Sequence, residues 1–385
     1  MKKVKLLSIL FVAVVLFVGC GNEDSKPSQG KLDLTSMTPR PTSETIDEAG
    51  NLNEISPELT NAPDAEIKPY EPITISFVGD VFASDQMYQN YVNAGGITGV
   101  VSEKVLEVFQ SSDIMVANHE YCSTDIDDSN AADYQIWIEQ CDTRNEFMFG
   151  ELGIDVACVA NNHMFDYGEQ GFIDTLNGLT DMGITYVGGG MNYQDATEAK
   201  VIEVDDKSIA FFASNNVITR VDWIVEGDEP GMNGLYTWSE TYTTMLENIK
   251  TASETNDFVV VQLHFGTEKE NQHTEDQTAF AHACIDAGAD LIIGHHAHVL
   301  QGIEYYGDGM IFYGLGNFLF SNYESHTMVV TITLERDNTF SAKILPCRSY
   351  LYYTNNVTNY TVFNLLNQYS VNAEVHEDGT VTKFE

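Results

Sequence analysis

Five short apolar runs organise residues 73–298, and each ends in a cluster of polar side chains: ITISFVGD, SDIMVANHE, IDVACVANNH, DFVVVQLHFG and ADLIIGHHAH. Runs of this length, apolar almost throughout, fit strands buried on both faces of a sheet that helices cover. Residues 97–110, 168–182, 239–255 and 276–287, which lie between or beside them, have the composition of helices. Alternation of the two predicts an α/β fold. In open α/β sheets, ligands bind beyond the carboxyl ends of the strands. All five polar clusters fall at such ends, so the pattern predicts that they converge on one site. Two later segments, KVIEVDDKSIAFFASN turning at Asp205-Asp206 and TMVVTITLERDNTFSAKILPC turning near Asp337-Asn338, read as hairpins that extend the core.

The clusters carry metal-ligand chemistry. Asp80 ends the first run behind a glycine, a placement shared by metal carboxylates and ordinary helix caps. Glu120 offers a second oxygen donor, and His119 before it reads as a ligand, a hydrogen-bond partner or an exposed side chain. In VANNHMFDYG, an Asn carbonyl, of Asn161 or Asn162, can coordinate a cation, His163 can protonate a leaving group, and Asp166 can orient that imidazole. His264 follows the fourth strand, and His296 and His298 form an H-x-H pair beside His295. A set of Asp, Glu, Asn and His donors without Cys suits Mn, Zn or Fe. Six or seven such donors are too many for one tetrahedral ion and suit two divalent metal ions.

Charge narrows the partners. With 18 basic against 58 acidic residues, the chain has a formal charge of −40 and no nucleic-acid partner is expected. Residues 1–20 read as a lipoprotein signal peptide: basic Lys2, Lys3 and Lys5, an apolar run too short to span a bilayer comfortably, and Cys20 as the lipidation site. Residues 21–70 hold six of the nine prolines among many polar side chains and read as a disordered acidic tether. The expected organisation is therefore an extracytoplasmic domain, lipid-anchored to the cell membrane, with a metal-binding core over 71–330 and a β-rich extension over 331–385 packed on it. Cys122 and Cys141 flank a polar insertion and could close it with a disulfide.

As a set, FVGD, ANHE, ANNHMFDYG, HFGTE, GHHAHVLQGIE and YGLGNFLFS resemble the motifs of CapA-type bacterial capsule-synthesis proteins across residues 73–322. That family is associated with poly-γ-glutamate and is similar to metallophosphoesterases of the calcineurin-like superfamily. The resemblance implies a four-layer α/β/β/α sandwich of the metallophosphoesterase type, with a dimetal site at one sheet edge. It implies Asp80, Glu120, Asn162, His264, His296 and His298 as ligands and His163 as proton donor, with His295 a neighbour and Gln301 and Glu304 shaping the site. It further implies a surface lipoprotein acting in synthesis, export or anchoring of a capsular polymer as a metal-dependent hydrolase. The alternatives are a non-catalytic accessory lipoprotein of a membrane synthase and a phosphodiesterase on another envelope substrate. The implied partners are anionic poly-γ-glutamate or another envelope substrate, and membrane synthase subunits. The chain departs from the family at several points: no Arg follows Gly-Asp before Arg144, His119 replaces Leu, Phe265 replaces Trp, Lys269 replaces an aromatic residue and Ala297 replaces Pro.

Overall fold

Strand β1 (Ile73–Val81) shows in its side chains how the layers form. Ile73, Ile75 and Phe77 belong to one buried cluster, whereas Val78 and Val81 belong to another. Alternate residues of a strand face opposite sides of its sheet, so β1 is covered on both. The chain is described here by a computed structural model covering residues 70–127, 131, 139–320, 323–358 and 360–384. The expected signal peptide, almost all of the tether and Cys20 lie outside the described residues.

From β1 the chain passes through helices α1 (Asp85–Ala94) and α2 (Glu103–Ser111), strands β2 (Ile114–His119) and β3 (Val156–Cys158), helix α3 (Gly168–Asp181) and strand β4 (Thr185–Val187). A second sheet follows, built from β5 (Lys200–Val204), β6 (Lys207–Asn215), α4 (Glu240–Ser253), β7 (Phe258–His264), α5 (Glu275–Ala287), β8 (Leu291–His295), β9 (Ile303–Tyr306) and β10 (Gly309–Phe312). The chain then returns to the first sheet with β11 (Asn317–Leu319), β12 (Ser325–Leu334), β13 (Phe340–Tyr350), β14 (Tyr353–Asn356), α6 (Thr361–Tyr369), β15 (Ala373–Val375) and β16 (Thr380–Lys383).

The first sheet runs β15-β16-β13-β12-β1-β2-β3-β4, with β11 beside β1 and β14 beside β13; the second runs β9-β10-β8-β7-β6-β5. Their inner faces share one core. Ile75 and Phe77 of the first sheet and Phe211, Phe258, Val260 and Ile293 of the second sit in the same buried cluster. Helices cover both outer faces. Met87, Val105, Phe109, Phe172 and Leu176 pack on the first sheet, and Met245, Ile249, Ala281 and Cys284 on the second. The architecture is thus a four-layer α/β/β/α sandwich. The helix ends follow local chemistry: Ser84 caps α1, and Thr274 with Gln277 forms a capping box on α5, which stops at left-handed Gly288. Among the described residues, no helix is long and apolar enough to cross a membrane.

Both hairpins form at the expected turns, Asp205-Asp206 between β5 and β6 and Asp337-Asn338 between β12 and β13. Position 330 lies inside β12, so the segment after it continues the first sheet. Two expectations change. The helix expected over 97–110 is split into a 3-10 turn, Ile97–Gly99, and α2. Val101 between them bridges Thr354, and the Ser102 amide donates to the Thr354 carbonyl, so this backbone is committed to strand-like pairing. Cys122 and Cys141 are both free thiols. Their two-residue strands pair in parallel, Cys122 opposite Gln140 and Ser123 opposite Cys141. That register offsets the cysteines by one residue, and side chains one residue apart face opposite sides of a ribbon.

Candidate metal centre

The carboxyl ends of β1, β2, β3, β7 and β8 meet at one edge of the sandwich, as the apolar runs predicted. Close backbone packing fixes the first of them. A Cβ on Gly79 would stand 1.8 Å from the Gly316 carbonyl oxygen, and the Asp80 amide donates to that same oxygen at 3.1 Å. Only glycine allows this approach, which places Asp80 beside both Asn118 and Asn317 in strand register.

Asp80 and Glu120 are buried, and the Asn118 side chain ties them together. Its Nδ2 donates to Asp80 Oδ1 at 2.9 Å and to Glu120 Oε2 at 3.0 Å. Asn161 in turn donates to Asn118 Oδ1 at 3.2 Å and to the His119 carbonyl at 2.8 Å, and it accepts from the His163 amide at 3.1 Å. Asn162 Oδ1 lies 2.7 Å from His264 Nε2. His163 Nδ1 lies 2.8 Å from Asp166 Oδ2, which also accepts from the Glu139 amide at 2.8 Å. The imidazole is therefore oriented by its Nδ1 edge, leaving Nε2 as the nitrogen for a reacting group.

The histidines come from the second sheet. His264 Nε2 lies 3.5 Å from Glu120 Oε1. His298 Nδ1 lies 3.1 Å from Asp80 Oδ2 and 2.7 Å from Asn317 Oδ1, and its Nε2 is 3.7 Å from Glu120 Oε1. His296 and His298 have φ of 82° and 56°, in the left-handed region that side chains with a Cβ rarely adopt. Such strain persists where the surroundings over-determine it, and it clusters at functional sites. His295 is held apart in the strand, with Nδ1 3.3 Å from Asp80 Oδ1 and Nε2 3.4 Å from Gln262 Oε1.

Three groups of donor atoms, each within 4.8 Å of one another, have the composition of a metal site: Asp80, Glu120 and His298; Glu120, His264 and His296; and Glu268, His296 and His298. The first two share Glu120. Buried polar atoms normally have partners. Among the described residues, Asp80 Oδ2, Glu120 Oε1 and His296 Nδ1 are buried without a hydrogen bond. Orphaned atoms on two carboxylates and an imidazole, spread over donor groups that Glu120 joins, fit divalent cations. For two of the three histidines the electrostatics agree, whereas at His298 burial is outweighed by the Asp80 carboxylate, which pushes the imidazole up. Burial pushes the His264 and His296 imidazoles down, His296 to about 3, and their neighbours His296 and His298 add to the effect. The neutral ring is the form that binds metal. Burial also opposes ionisation of Asp80, but the imidazoles of His295 and His298, 3.3 and 3.1 Å from its two oxygens, outweigh it and hold the carboxyl well below its usual range. Burial and the Asp80 charge push Glu120 well above its own.

The structure therefore brings together Asp80, Glu120, Asn162, His264, His296 and His298, with His163 and Asp166 hydrogen-bonded beside them. Others go elsewhere. His119 stacks on Tyr121 and lies 2.7 Å from Glu146 Oε1. Gln301 donates to the Glu270 carbonyl and so braces the loop after β7. Glu304 contacts Tyr313 Oη at 2.6 Å and His282 Nε2 at 3.1 Å instead of the cluster. Glu268, Asn118, Asn161 and Asn317 are site residues that sequence reasoning did not assign. Glu268 carried a signal, since it ends the HFGTE motif; Asn317 joins only through the Gly79–Gly316 approach.

A four-layer sandwich with Asp, Glu, Asn and His donors converging at one sheet edge is the architecture that the sequence resemblance implied. Residues 74–322 match the family described as bacterial capsule synthesis protein PGA_cap, and the chain belongs to that family. Over 256 residues it is 33% identical to the capsule biosynthesis protein CapA of Bacillus anthracis, covering 65% of this chain and 60% of that protein. Over 287 residues it is 31% identical to the PGA biosynthesis protein CapA of Bacillus subtilis (strain 168), covering 73% of each. Among solved structures, a phosphatase from Mycoplasma pneumoniae aligns over 73% of this chain and 95% of its own, with 13% identity and a TM-score of 0.46. The sheet order traced above, not that superposition, defines the fold.

Proposed function

We propose that the chain is a dimetal hydrolase that acts in poly-γ-glutamate capsule synthesis, export or anchoring, displayed outside the cell on a lipid anchor at Cys20. The observation that carries the dimetal reading is the sharing of Glu120 between two donor groups, one completed by Asp80 and His298 and the other by His264 and His296. Two divalent ions would be held here with Glu120 common to both. Asn162, beside His264, adds an oxygen donor to the second group. Bound there, divalent ions supply Lewis-acid charge to the scissile acyl or phosphoryl group.

The remaining work falls to the chain. Asp166 holds the His163 ring by Nδ1, so that Nε2 delivers a proton to the leaving group. Burial of the surrounding histidines and carboxylates keeps bulk water from screening that transfer. The link to the capsular polymer rests on family membership and on the names of the two Bacillus relatives. The lipid anchor rests on the sequence around Cys20.

The purified full chain should hold close to two transition ions, counted by plasma mass spectrometry after dialysis. A screen of γ-glutamyl amides against phosphodiesters should then find turnover that chelation abolishes. Two ions without turnover on either class would favour an accessory role, in which the centre grips polymer carboxylates; fewer than one ion would sink the reading.

A further inference from the structure

Between β6 and α4 the chain crosses the surface through residues 216–239, and this segment forms one side of a pocket of about 740 Å³. Trp238 stands in it 63% exposed, although its ring stacks on Tyr236 with centroids 5.1 Å apart and planes 24° from parallel. One face of the indole is thus supported and the other is free. The support is rigid. Tyr236 Oη donates to the Asn216 carbonyl at 2.8 Å and accepts from the Ile218 amide at 3.1 Å, and the Asn216 amide donates to the carbonyl of His264. Val221, 64% exposed, lines the pocket from the other end of the same segment. Two residues on, Trp223 is buried and stacks on Phe165, in the loop that carries His163 and Asp166. The segment is therefore tied at two points to elements of the metal centre.

The polar lining has one sign. Glu226, Asp228 and Glu240 line the pocket and are exposed, and no Lys or Arg is among its described lining residues. Arg220 next to it is ion-paired with Asp222. Three carboxylates without a cation repel polyglutamate or any other polyanion. A cationic ligand is not singled out either, because an acidic surface is general in a chain with 58 acidic and 18 basic residues. Cation recognition also gains most from a cage of aromatic faces, whereas the aromatic lining here is Trp238, backed by Tyr236, and a half-buried Tyr193 whose hydroxyl is bonded to Thr244 Oγ1. The ligand that matches a flat apolar platform rimmed by hydrogen-bond acceptors is a ring with apolar C–H faces and O–H or N–H groups at its edge.

We propose that this pocket binds the sugar rings of an envelope glycan, with Trp238 as the stacking platform and Glu226, Asp228 and Glu240 accepting hydrogen bonds from ring hydroxyls. The site stands apart from the metal donors, so the proposal holds whether or not the centre turns over a bond. Placed beside the His163 loop, it would seat the chain next to the glycan on which it acts or to which a polymer is delivered.

The test is calorimetric titration of the full chain with the N-acetylglucosamine tetrasaccharide, with cellotetraose, tetralysine and a poly-γ-glutamate oligomer in parallel. At least one of the two sugars should bind. Trp238→Ala should weaken that binding at least tenfold and Trp238→Tyr by less than about threefold, with metal content and circular dichroism unchanged in both. Absence of binding by both sugars, equal binding in Trp238→Ala, or binding of tetralysine or poly-γ-glutamate alone would each overturn the proposal.

Discussion

Replacing Glu120 with Gln should move the metal-free and the metal-loaded protein in opposite directions. Asp80 and Glu120 accept from the same Asn118 nitrogen at 2.9 and 3.0 Å, so the two carboxylate oxygens are at most 5.9 Å apart. Both side chains are buried. At an effective dielectric constant of about 20, two charges at that separation repel by about 3 kcal/mol. Glutamine keeps an oxygen for Asn118 and puts N–H donors where Glu120 Oε1 is an orphan. The metal-free variant should therefore gain about 1–3 kcal/mol, which for a domain of this size raises Tm by about 2–6 °C. Metal reverses the order. An ion at a hundred times its Kd stabilises the native state by about 2.7 kcal/mol, and the variant removes the carboxylate that both donor groups share. Calorimetric scans of chelator-stripped protein, repeated with Mn²⁺ or Zn²⁺, read both effects. A metal-free variant less stable than the wild type, or an equal metal-induced rise in the two proteins, would refute the reasoning.

Other perturbations follow from the same geometry. His163→Ala should lower turnover about 10²–10⁴-fold while leaving metal content unchanged, which separates proton delivery from metal holding and is read by kinetics with parallel metal analysis. Burial raises the Asp290 carboxyl from 3.8 to about 6. A folded-state pKa above the unfolded value means that stability is lost as pH rises from about 4 to 6. Asp290→Asn, whose amide oxygen can still accept from the Val259 amide, should therefore become more stable than the wild type across that window, by on the order of 2–3 kcal/mol above pH 7, and should match it near pH 3 in denaturant titrations. Gly79→Ala puts a methyl group 1.8 Å from the Gly316 carbonyl, so it should cost about 1–3 kcal/mol and weaken metal binding by displacing Asn317 from His298.

The parts of the fold that the sequence announced are those with period and punctuation. Buried strands such as Phe258–His264 appear as apolar runs, and the hairpins declare themselves through Asp205-Asp206 and Asp337-Asn338. The convergence of donors was legible for a topological reason: strand ends carry sites whatever the order of strands. The stacking of two sheets came only from the resemblance, because period two tells which residues share a face and not which faces meet. Residues held by long-range backbone approach were invisible. Asn317 reaches His298 only because Gly79 and Gly316 touch. The split of the expected helix over 97–110 depends on Thr354, some 250 residues away in sequence, and the Cys122–Cys141 expectation failed on a strand register that spacing cannot supply.

The central claim is that two ions share Glu120, and anomalous diffraction tests it most directly. Crystals of the protein loaded with Mn²⁺ or Zn²⁺, measured on both sides of the metal edge, should show two peaks. One should be held by Asp80, Glu120 and His298 and the other by Glu120, His264 and His296. A single peak, or any pair of peaks that leaves Glu120 untouched, would contradict the account.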